Sequence, residues 1–445
     1  MAVIYPLPSK RPPQIAPRVN AAEAFPPELL QVEGLLDQFM TECHASAPER
    51  RQPVYALATG LSLIGALAGR RYRSETNLRT NIYSAILGES SSGKGHAPRV
   101  ALRLLHDAGL GRYVAADYQS GAALLTELVE HPARFSVIDE FGIWIAALTG
   151  DRAPKHIVDI KRHLMTLFSS AGDIVAGGGY ANKSERARHD ITQPHLCLVG
   201  TGTPDHFFRA LQSGALRDGF IPRFLVFKPD HYFPPLVETP RPIEISPDMV
   251  LAAQRIAGAS PEDGNLAGLL PMQHDIDAGA ALVPFTTDGR AEHGRHRQRR
   301  EGIIQGGCLG FCSGELVGKW GEHAIKLAMV RAISRDPAQP VLDQVVVSWG
   351  WRVAEHCIRT INAMAERNLA DNRTESENKR VRNLISDAGP DGIVKHDLIQ
   401  RTRFLDIKQR DMILASLIDS GEITAHQIPP GATGGRPGYR FKMAA

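Results

Sequence analysis

The sequence predicts an α/β fold in which helices cover the faces of a mostly parallel sheet. From Asn81 onward, apolar runs of strand length alternate with helical stretches, which is the pattern of parallel strands joined by crossover helices. Upstream, apolar residues recur at helical spacing between residues 28 and 69 and predict two or three helices. The predicted strands are residues 82–87, 113–116, 135–138, 195–199 and 224–227.

The composition is that of an ordinary soluble protein. The chain has 445 residues, which suggests two to four domains, and its 43% hydrophobic and 22% charged residues exclude wholesale disorder. A formal net charge of +3 is too small for bulk attraction to nucleic acid, so any such affinity would come from local basic loops or their repetition in an oligomer. The N-terminus lacks an apolar signal core, and no long apolar run occurs, so we expect a cytoplasmic protein without a membrane partner.

The chain divides into five predicted segments. The first is proline-rich and expected to be disordered, the second is helical, and the third contains the sheet. The fourth combines a variable part with a helical lid, and its basic run from Arg290 is interpreted as a solvated helix face. These four segments and the last small unit are residues 1–25, 26–80, 81–235, 236–374 and 375–445.

A glycine-rich loop follows the first predicted strand and precedes a helix, in the pattern G-x-x-x-x-G-K. Glycine suits both ends because the backbone must curl until its N–H groups point at a phosphate, and a Cβ would obstruct that approach. The helix dipole adds positive charge, and Lys94 would reach the β- and γ-phosphates. The alternative is a glycine-serine turn with an incidental lysine. The residues predicted to bind ATP here are Gly88, Glu89, Ser90, Ser91, Ser92, Gly93, Lys94, Gly95 and His96.

Two acids end a later strand, in R-F-S-V-I-D-E-F-G. Asp139 is predicted to reach the water shell of Mg²⁺, and Glu140 to polarise the water that attacks the γ-phosphate. An acidic strand end is common by itself, and its position soon after the glycine-rich loop is what indicates catalysis. Because Gly95 stands where Ser or Thr usually supplies a hydroxyl to magnesium, the ion would depend on phosphate oxygens, water and Asp139.

Two further catalytic candidates follow. Thr201 ends the next predicted strand and could orient the attacking water, as could Thr203, although both could instead cap the following helix. Arg223 precedes the fifth strand, as does Arg217 a little earlier, and Arg223 is our choice for an arginine finger directed at a neighbouring subunit's nucleotide. The alternative for Arg223 is a surface salt bridge.

Two regions predict contact with nucleic acid. A glycine-hinged basic loop could contact phosphates and stack a base on Tyr180, and six copies around a ring would form a basic collar, whereas the alternative is a solvated loop. The last unit has predicted helices at residues 377–387, 395–403 and 408–420 and a two-stranded wing, the pattern of a winged helix-turn-helix, which binds either DNA or protein. The predicted DNA contacts are Lys183, Arg186, Arg188, His189, Lys408 and Arg410.

These motifs resemble the helicase part of phage and plasmid primase-helicase proteins, which are related to superfamily three helicases and minichromosome-maintenance ATPases. The resemblance covers about residues 26–370 and is carried by N-I-Y-S-A-I-L-G-E-S-S-S-G-K, A-R-F-S-V-I-D-E-F-G, L-V-G-T-G-T-P, G-F-I-P-R-F-L-V-F and G-K-W-G-E-H-A-I-K-L-A. It implies a P-loop NTPase core of the AAA+ or RecA-like kind, with ATP and Mg²⁺ as cofactors. It also implies that Lys319 takes the place of a sensor-two arginine at the nucleotide.

Three functions are consistent with these patterns. The first, which the resemblance favours, is a homo-hexameric replicative DNA helicase of a mobile element that acts on single-stranded or forked DNA, with a separate primase or polymerase. The second is a DNA-binding ATPase that regulates or loads a partner without unwinding. The third, suggested by Gly95, is a degenerate nucleotide-binding scaffold. Unwinding of forked DNA separates the first two, and DNA-stimulated ATP turnover excludes the third.

Overall fold

The computed structural model describes residues 24–115, 117–150, 153–177, 190–210, 218–258, 280–308, 314–368, 373–403, 405–429 and 438–444. Several predictions lie outside these residues, namely those for the first 23 residues, for the basic loop with Tyr180, Lys183, Arg186, Arg188 and His189, and for Arg217. Residue contacts divide the chain into two compact units, one spanning Ala21–Ala363 and the other containing Met364–Ala445. In the described part of the chain, no helix is long and apolar enough to cross a bilayer.

The first unit contains helices and strands in alternation. Its described helices are α1 Leu35–Ala45, α2 Pro53–Ala68, α3 His96–Asp107, α4 Gly121–Glu130, α5 Phe141–Thr149, α6 Lys155–Ser169, α7 Pro204–Ala210, α8 Pro247–Ala257, α9 Thr287–Gln305, α10 Gly314–Arg335 and α11 Gln344–Asn368, the last of which extends past the unit boundary. Its described strands are β1 Tyr72–Arg73, β2 Tyr83–Leu87, β3 Val114–Ala115, β4 Ala133–Ile138, β5 Ile174–Val175, β6 Ile191–Thr192, β7 His195–Gly202, β8 Phe224–Phe227 and β9 Ala281–Leu282.

The central sheet has five strands in the order β3-β4-β7-β2-β8, and every neighbouring pair is parallel. Every residue of β2, β7 and β8 is buried, as expected for strands covered on both faces. The predicted α/β class and parallel sheet are therefore confirmed. The chain leaves β2 for the far edge at β3, returns through β4 to β7, and then crosses to β8, so the strand order switches direction at β2. Ligands of open parallel sheets bind at the carboxyl ends of strands beside such a switch point.

Helix α2 belongs to the core of this unit. All of its residues after Pro53 are buried, because the helix is apolar on every side and packs against β2, β4, β7, α3 and α10. Gly65 permits a close approach, since a Cβ there would lie 2.4 Å from the carbonyl oxygen of Thr80. The helical region predicted ahead of the sheet thus supplies part of the sheet's own packing.

Four of the five arginines of α9 are exposed, in agreement with a solvated helix face, but several are paired with acids. Arg290 forms an ion pair with Glu75 at 2.6 Å, and Arg299 forms one with Glu355 at 2.7 Å. Arg295 pairs with Glu292 in the same helix. These contacts balance much of the positive charge of the helix within the chain itself.

The second unit consists of three helices and a three-stranded antiparallel sheet in the order β10-β12-β11. Its core includes Val381, Leu398, Leu414 and Phe441. The first helix begins at Arg373, two residues before the predicted start of this unit, and the short strand β10 was not predicted. Its elements are α12 Arg373–Asp387, β10 Ile393–Val394, α13 Lys395–Arg401, α14 Ile407–Asp419, β11 Ile423–Ile428 and β12 Gly438–Met443.

Candidate functional site

The glycine-rich loop, residues 88–95, connects the carboxyl end of β2 to the start of α3. Ser91 and Gly93 have φ angles of +63° and +85°, and such left-handed residues in a turn form the concavities of N–H groups that bind anions. Among the described backbone hydrogen bonds, none uses the N–H groups of Gly93, Lys94 or Gly95. The first turn of α3 contains no acidic residue that would compete for an anion at the helix N-terminus. The loop thus offers backbone donors at a positive helix end.

Tyr55 of α2 occupies the space that a side chain at the first loop position would need. Its hydroxyl lies 3.3 Å from Ser92 Oγ and 3.4 Å from the carbonyl oxygen of Leu87. A Cβ on Gly88 would lie only 2.0 Å from that hydroxyl, so no larger residue fits without movement. Gly95 differs, because it has a φ of −83° and no atom within 4 Å of its Cβ position. Sequence reasoning missed Tyr55, since nothing in its own helix indicates a contact more than thirty residues away.

Lys94 and His96 have different surroundings. Lys94 is half-buried, and within the described part of the chain it makes no ion pair, so its charge is not committed to an acid. His96, predicted to bind the nucleotide, is buried with its Nε2 atom 3.1 Å from Ser46 Oγ after the end of α1. Burial lowers the pKa of His96, which favours the neutral ring. Its side chain therefore fastens the first turn of α3 to the protein instead of facing the open side of the loop.

The carboxylate of Asp139 is fixed by two donors. Thr201 Oγ1 donates to Asp139 Oδ1 at 2.6 Å, and the backbone N–H of Glu140 donates to the same oxygen at 3.0 Å. Thr201 was predicted to orient water or to cap a helix, but the structure directs its hydroxyl at Asp139, and α7 begins later at Pro204. Thr201 is thus a positioning residue for Asp139, whose side chain is exposed together with that of Glu140.

The strand register places these acids and the loop at the same end of the sheet, where the parallel strands have their carboxyl ends. Leu87, the last residue of β2, pairs with Gly202, and Ile138, the last residue of β4, pairs with Gly200. The N–H of Gly88 donates to the Gly202 carbonyl at 3.0 Å. Gly88 and Asp139 therefore flank the end of β7, separated by two strand spacings, or about 10 Å. A triphosphate-sized ligand would span that gap.

Glu140 has a strained backbone. Its φ of +48° and ψ of +45° are left-handed, a conformation that costs a residue with a Cβ about 1–2 kcal/mol. It lies between β4 and α5, where α5 packs so closely on the sheet that a Cβ on Gly200 would lie 2.3 Å from the ring of Phe141. Glycine would be the natural residue here, so the retained carboxylate points to a role for the side chain.

An open cleft of about 550 Å³ lies at the carboxyl ends of β3 and β4. The acids Asp117, Asp139 and Glu140 line it together with the apolar side chains of Ile143 and Trp144. Asp117 was not predicted, although its position directly after a parallel strand was a usable signal. The cleft makes both predicted catalytic acids accessible from solvent.

Arg223 and Lys319 lie at the amino-terminal end of the strands, opposite the loop and the acids. Arg223 precedes Phe224, which pairs with Tyr83 at the amino end of β2, about 15 Å from the glycine-rich loop. Lys319 pairs with Glu322 at 2.7 Å and lies 5.6 Å from the ring of Phe168, at the same end of the sheet. Neither side chain can reach the loop of its own chain. The predicted nucleotide contact of Lys319 is therefore not made within its own chain, because motif order does not reveal which end of the sheet a lid helix covers.

One predicted DNA contact is wrong. Arg410 is only 6% exposed, and it shares the buried face of α14 with Ile413, Leu414 and Leu417 at helical spacing. Lys408 is exposed on the same helix and stays available. The polarity of arginine suggested a surface position, but helix phase determines which residues face the core.

No protein-family model matches the chain, and no curated protein matches it. Among the described residues, no group of three or more His, Cys, Asp or Glu side chains could hold a metal by itself. An ion at this site would therefore share its coordination between Asp139 and a ligand.

We expect Gly88→Ala to destabilise the protein and Gly95→Ala to be tolerated. The first substitution places a Cβ 2.0 Å from the Tyr55 hydroxyl and should lower the free energy of unfolding by about 1–3 kcal/mol. The second meets no atom and should change it by less than about 0.5 kcal/mol. Urea denaturation measures both, and adding Tyr55→Phe to Gly88→Ala should recover part of the loss. Equal effects of the two alanines would contradict this account of the loop.

We expect Glu140→Gly to stabilise the fold while removing the carboxylate. Glycine adopts the left-handed conformation without a Cβ penalty, so the free energy of unfolding should rise by about 1 kcal/mol. Glu140→Gln, which keeps the Cβ, is the matched control and should leave stability within about 0.5 kcal/mol of the parent. Thermal and urea unfolding test this, and a glycine variant less stable than the glutamine variant would show that the backbone is not strained.

Proposed function

We propose that this chain has a P-loop NTPase core of the AAA+ or RecA-like kind, which hydrolyses ATP. One observation carries the proposal: the curled glycine-rich loop before α3 and the fixed carboxylate of Asp139 flank the end of one strand, β7. Nucleotide hydrolysis needs both groups, because donors must hold the phosphates while a carboxylate stands near the metal and the attacking water. Lys94 adds a cation at the loop.

The residues present fit ATP and Mg²⁺. The backbone N–H groups of Gly93, Lys94 and Gly95 would hold phosphate oxygens, and Asp139 would hold the ion through its water shell. Bound Mg²⁺ neutralises charge on the phosphates. Glu140 would orient and polarise the attacking water from its exposed position beside Asp139. Because Gly95 has no hydroxyl, the phosphates and water would supply the remaining magnesium ligands.

We further propose that hydrolysis is completed by a second copy of the chain. Arg223 lies about 15 Å from its own loop, at the amino edge of the sheet, so it can stabilise charge only on a nucleotide held by another copy. In such an assembly the amino-terminal end of the sheet of one copy faces the carboxyl-terminal end of the sheet of the next, which is a head-to-tail contact. Head-to-tail contacts close into a ring when the rotation between neighbouring copies completes a full turn. A homo-hexamer is the ring that the sequence resemblance implies.

The proposed work of this ring is translocation on single-stranded or forked DNA, as a replicative helicase of a mobile element. The sequence motifs of the core support it, and priming or polymerase activity would come from a separate protein. We interpret the second unit as a winged helix-turn-helix, supported by three helices followed by the β11-β12 hairpin. Cytoplasmic location follows as part of the same proposal.

One observation favours the alternative of a regulator or partner loader that does not unwind DNA. The outer face of α14 exposes Ile407 by 73% and Met412 by 72%, while Arg410 is buried. Two exposed large apolar side chains on the third helix suit a protein partner better than a phosphate backbone. The core chemistry would be the same in both cases.

We expect ATP turnover that single-stranded DNA stimulates, together with unwinding of a forked duplex. Lys94→Ala should reduce kcat by about 100-fold or more through loss of phosphate contacts, and Glu140→Gln should stop turnover while ATP still binds. Arg103→Ala is the matched control, because Arg103 lies on α3, is exposed, and pairs with Asp107 at 2.7 Å one helical turn away.

These variants separate the candidate functions. Turnover without unwinding would favour the regulator or loader. Wild-type protein that neither binds nor hydrolyses ATP, or Lys94→Ala protein as active as Arg103→Ala protein, would refute the nucleotide site itself.

A further inference from the structure

The turn before β8, residues 218–223, carries Arg223 and is held by contacts of its own. Asp218 forms an ion pair with Lys161 of α6, and its Oδ1 atom accepts the N–H of Phe220 at 2.9 Å. Arg223 Nη1 donates to the carbonyl of Gly219, which has a φ of +80°. A Cβ on Gly219 would lie 3.0 Å from that Nη1 atom, and the left-handed φ also disfavours larger residues, so a substitution here would disturb the turn and its arginine.

Helix α10 fastens the other end of this turn through His323. The imidazole Nε2 atom lies 2.9 Å from the carbonyl oxygen of Pro222, the residue before Arg223. A carbonyl oxygen only accepts, so Nε2 carries the proton and donates. Burial lowers the pKa of His323 to about 4, so the ring is neutral at ordinary pH and this tautomer persists. The contact ties the backbone beside Arg223 to the helical lid.

His323 is itself held by a buried ionic cluster on α10. Glu322 pairs with Lys319 at 2.7 Å and with Lys326 at 3.0 Å. Lys326 is 1% exposed, and its Nζ atom donates to the carbonyl of Phe168 at 3.2 Å. The same carbonyl accepts the Asn81 amide at 2.9 Å, just before β2. Because a buried charge is costly unless it is fully paired, this cluster allows α10 little freedom against the sheet.

Arg223 is only partly balanced by this framework, because burial lowers its pKa while the nearby charges of Glu322 and Asp218 offset part of that effect. Its side chain is half-buried, its Nε atom is buried without a partner, and among the described residues it forms no ion pair. The surface salt bridge considered from the sequence is therefore absent in this part of the chain. A half-desolvated guanidinium with donors to spare suits an anion brought from outside the chain.

We propose that His323 is a positioning residue for Arg223: its hydrogen bond to Pro222 aims the guanidinium at the nucleotide of a neighbouring copy, so the seating of α10 in one subunit sets the hydrolysis rate in the next. This inference rests on the proposed ATPase function. It gives the lid helix a regulatory role toward the adjacent subunit, since any displacement of α10 moves the turn that carries Arg223.

Subunit mixing tests the proposal. Lys94→Ala copies lack a working loop but offer an intact Arg223, whereas Arg223→Ala copies offer the reverse. We expect His323→Ala to lower kcat by about tenfold or more at unchanged KM for ATP, because a small misplacement of a catalytic group is costly. Mixing His323→Ala with Lys94→Ala should restore turnover, and mixing it with Arg223→Ala should not. His323→Gln, which keeps a donor, should retain most of the activity.

His195→Ala is the matched control. His195 is fully buried, donates from Nε2 to the carbonyl of Gly65 at 2.9 Å, and has a pKa lowered by burial to about 3, but it does not touch the turn. Its loss should lower Tm about as much as His323→Ala while leaving kcat of the folded protein unchanged. Gly219→Ala disturbs the turn without touching α10. Like His323→Ala, it should regain turnover when mixed with Lys94→Ala and not when mixed with Arg223→Ala, so it replaces His323→Ala if that variant does not fold.

The outcomes separate this inference from the proposed function. If wild-type protein hydrolyses ATP and Lys94→Ala abolishes it, the proposed ATPase stands whatever His323 does. The positioning role is overturned if His323→Ala and Gly219→Ala change only Tm, as His195→Ala does, or if His323→Ala mixed with Arg223→Ala regains activity.

Discussion

The end of β7 is the constraint on which the candidate site depends. Its last residue, Gly202, accepts the N–H of Gly88 at 3.0 Å, and the residue before it, Thr201, donates to Asp139 at 2.6 Å. One strand terminus thus fixes the glycine-rich loop on one side and the carboxylate on the other. Because β2 and β4 pair with β7 in a parallel register, the two groups cannot separate without breaking the sheet. The spacing between the loop and the carboxylate is therefore a property of the core.

Helix α2 extends this constraint to the rest of the unit. It is buried along nearly its whole length, and Tyr55 near its start contacts Ser92 inside the loop. Because α2 packs against β2 and β7, the contact from Tyr55 to Ser92 links the loop to the core. At the amino-terminal end of the strands, α10 holds the turn before β8. His323 contacts the Pro222 carbonyl, and Lys326 donates to the Phe168 carbonyl. Each end of the sheet therefore carries one candidate functional segment. Helix α2 holds the glycine-rich loop, and α10 holds the turn with Arg223.

Local patterns predicted the sheet and both halves of the site. Strands β2, β4, β7 and β8 appear as apolar runs because they are buried on both faces, and the loop and the acids are contiguous in sequence. Contacts between distant residues were not predictable. The hydroxyl of Tyr55 at Gly88, the bond from Thr201 to Asp139, and the ion pairs of Arg290 and Arg299 each join segments whose proximity exists only after folding. The burial of Arg410 and the distance of Lys319 from the loop were unpredictable for the same reason, since helix phase and the end of the sheet decide their surroundings.

Hydrogen exchange of the backbone amides, measured by mass spectrometry with and without ATP and Mg²⁺, tests the central claim most directly. If the loop holds phosphates through its own N–H groups, nucleotide should slow exchange in the peptide covering residues 88–96, and Lys94→Ala should weaken that protection. Nucleotide binding that protects amides elsewhere and leaves residues 88–96 unchanged would contradict the account.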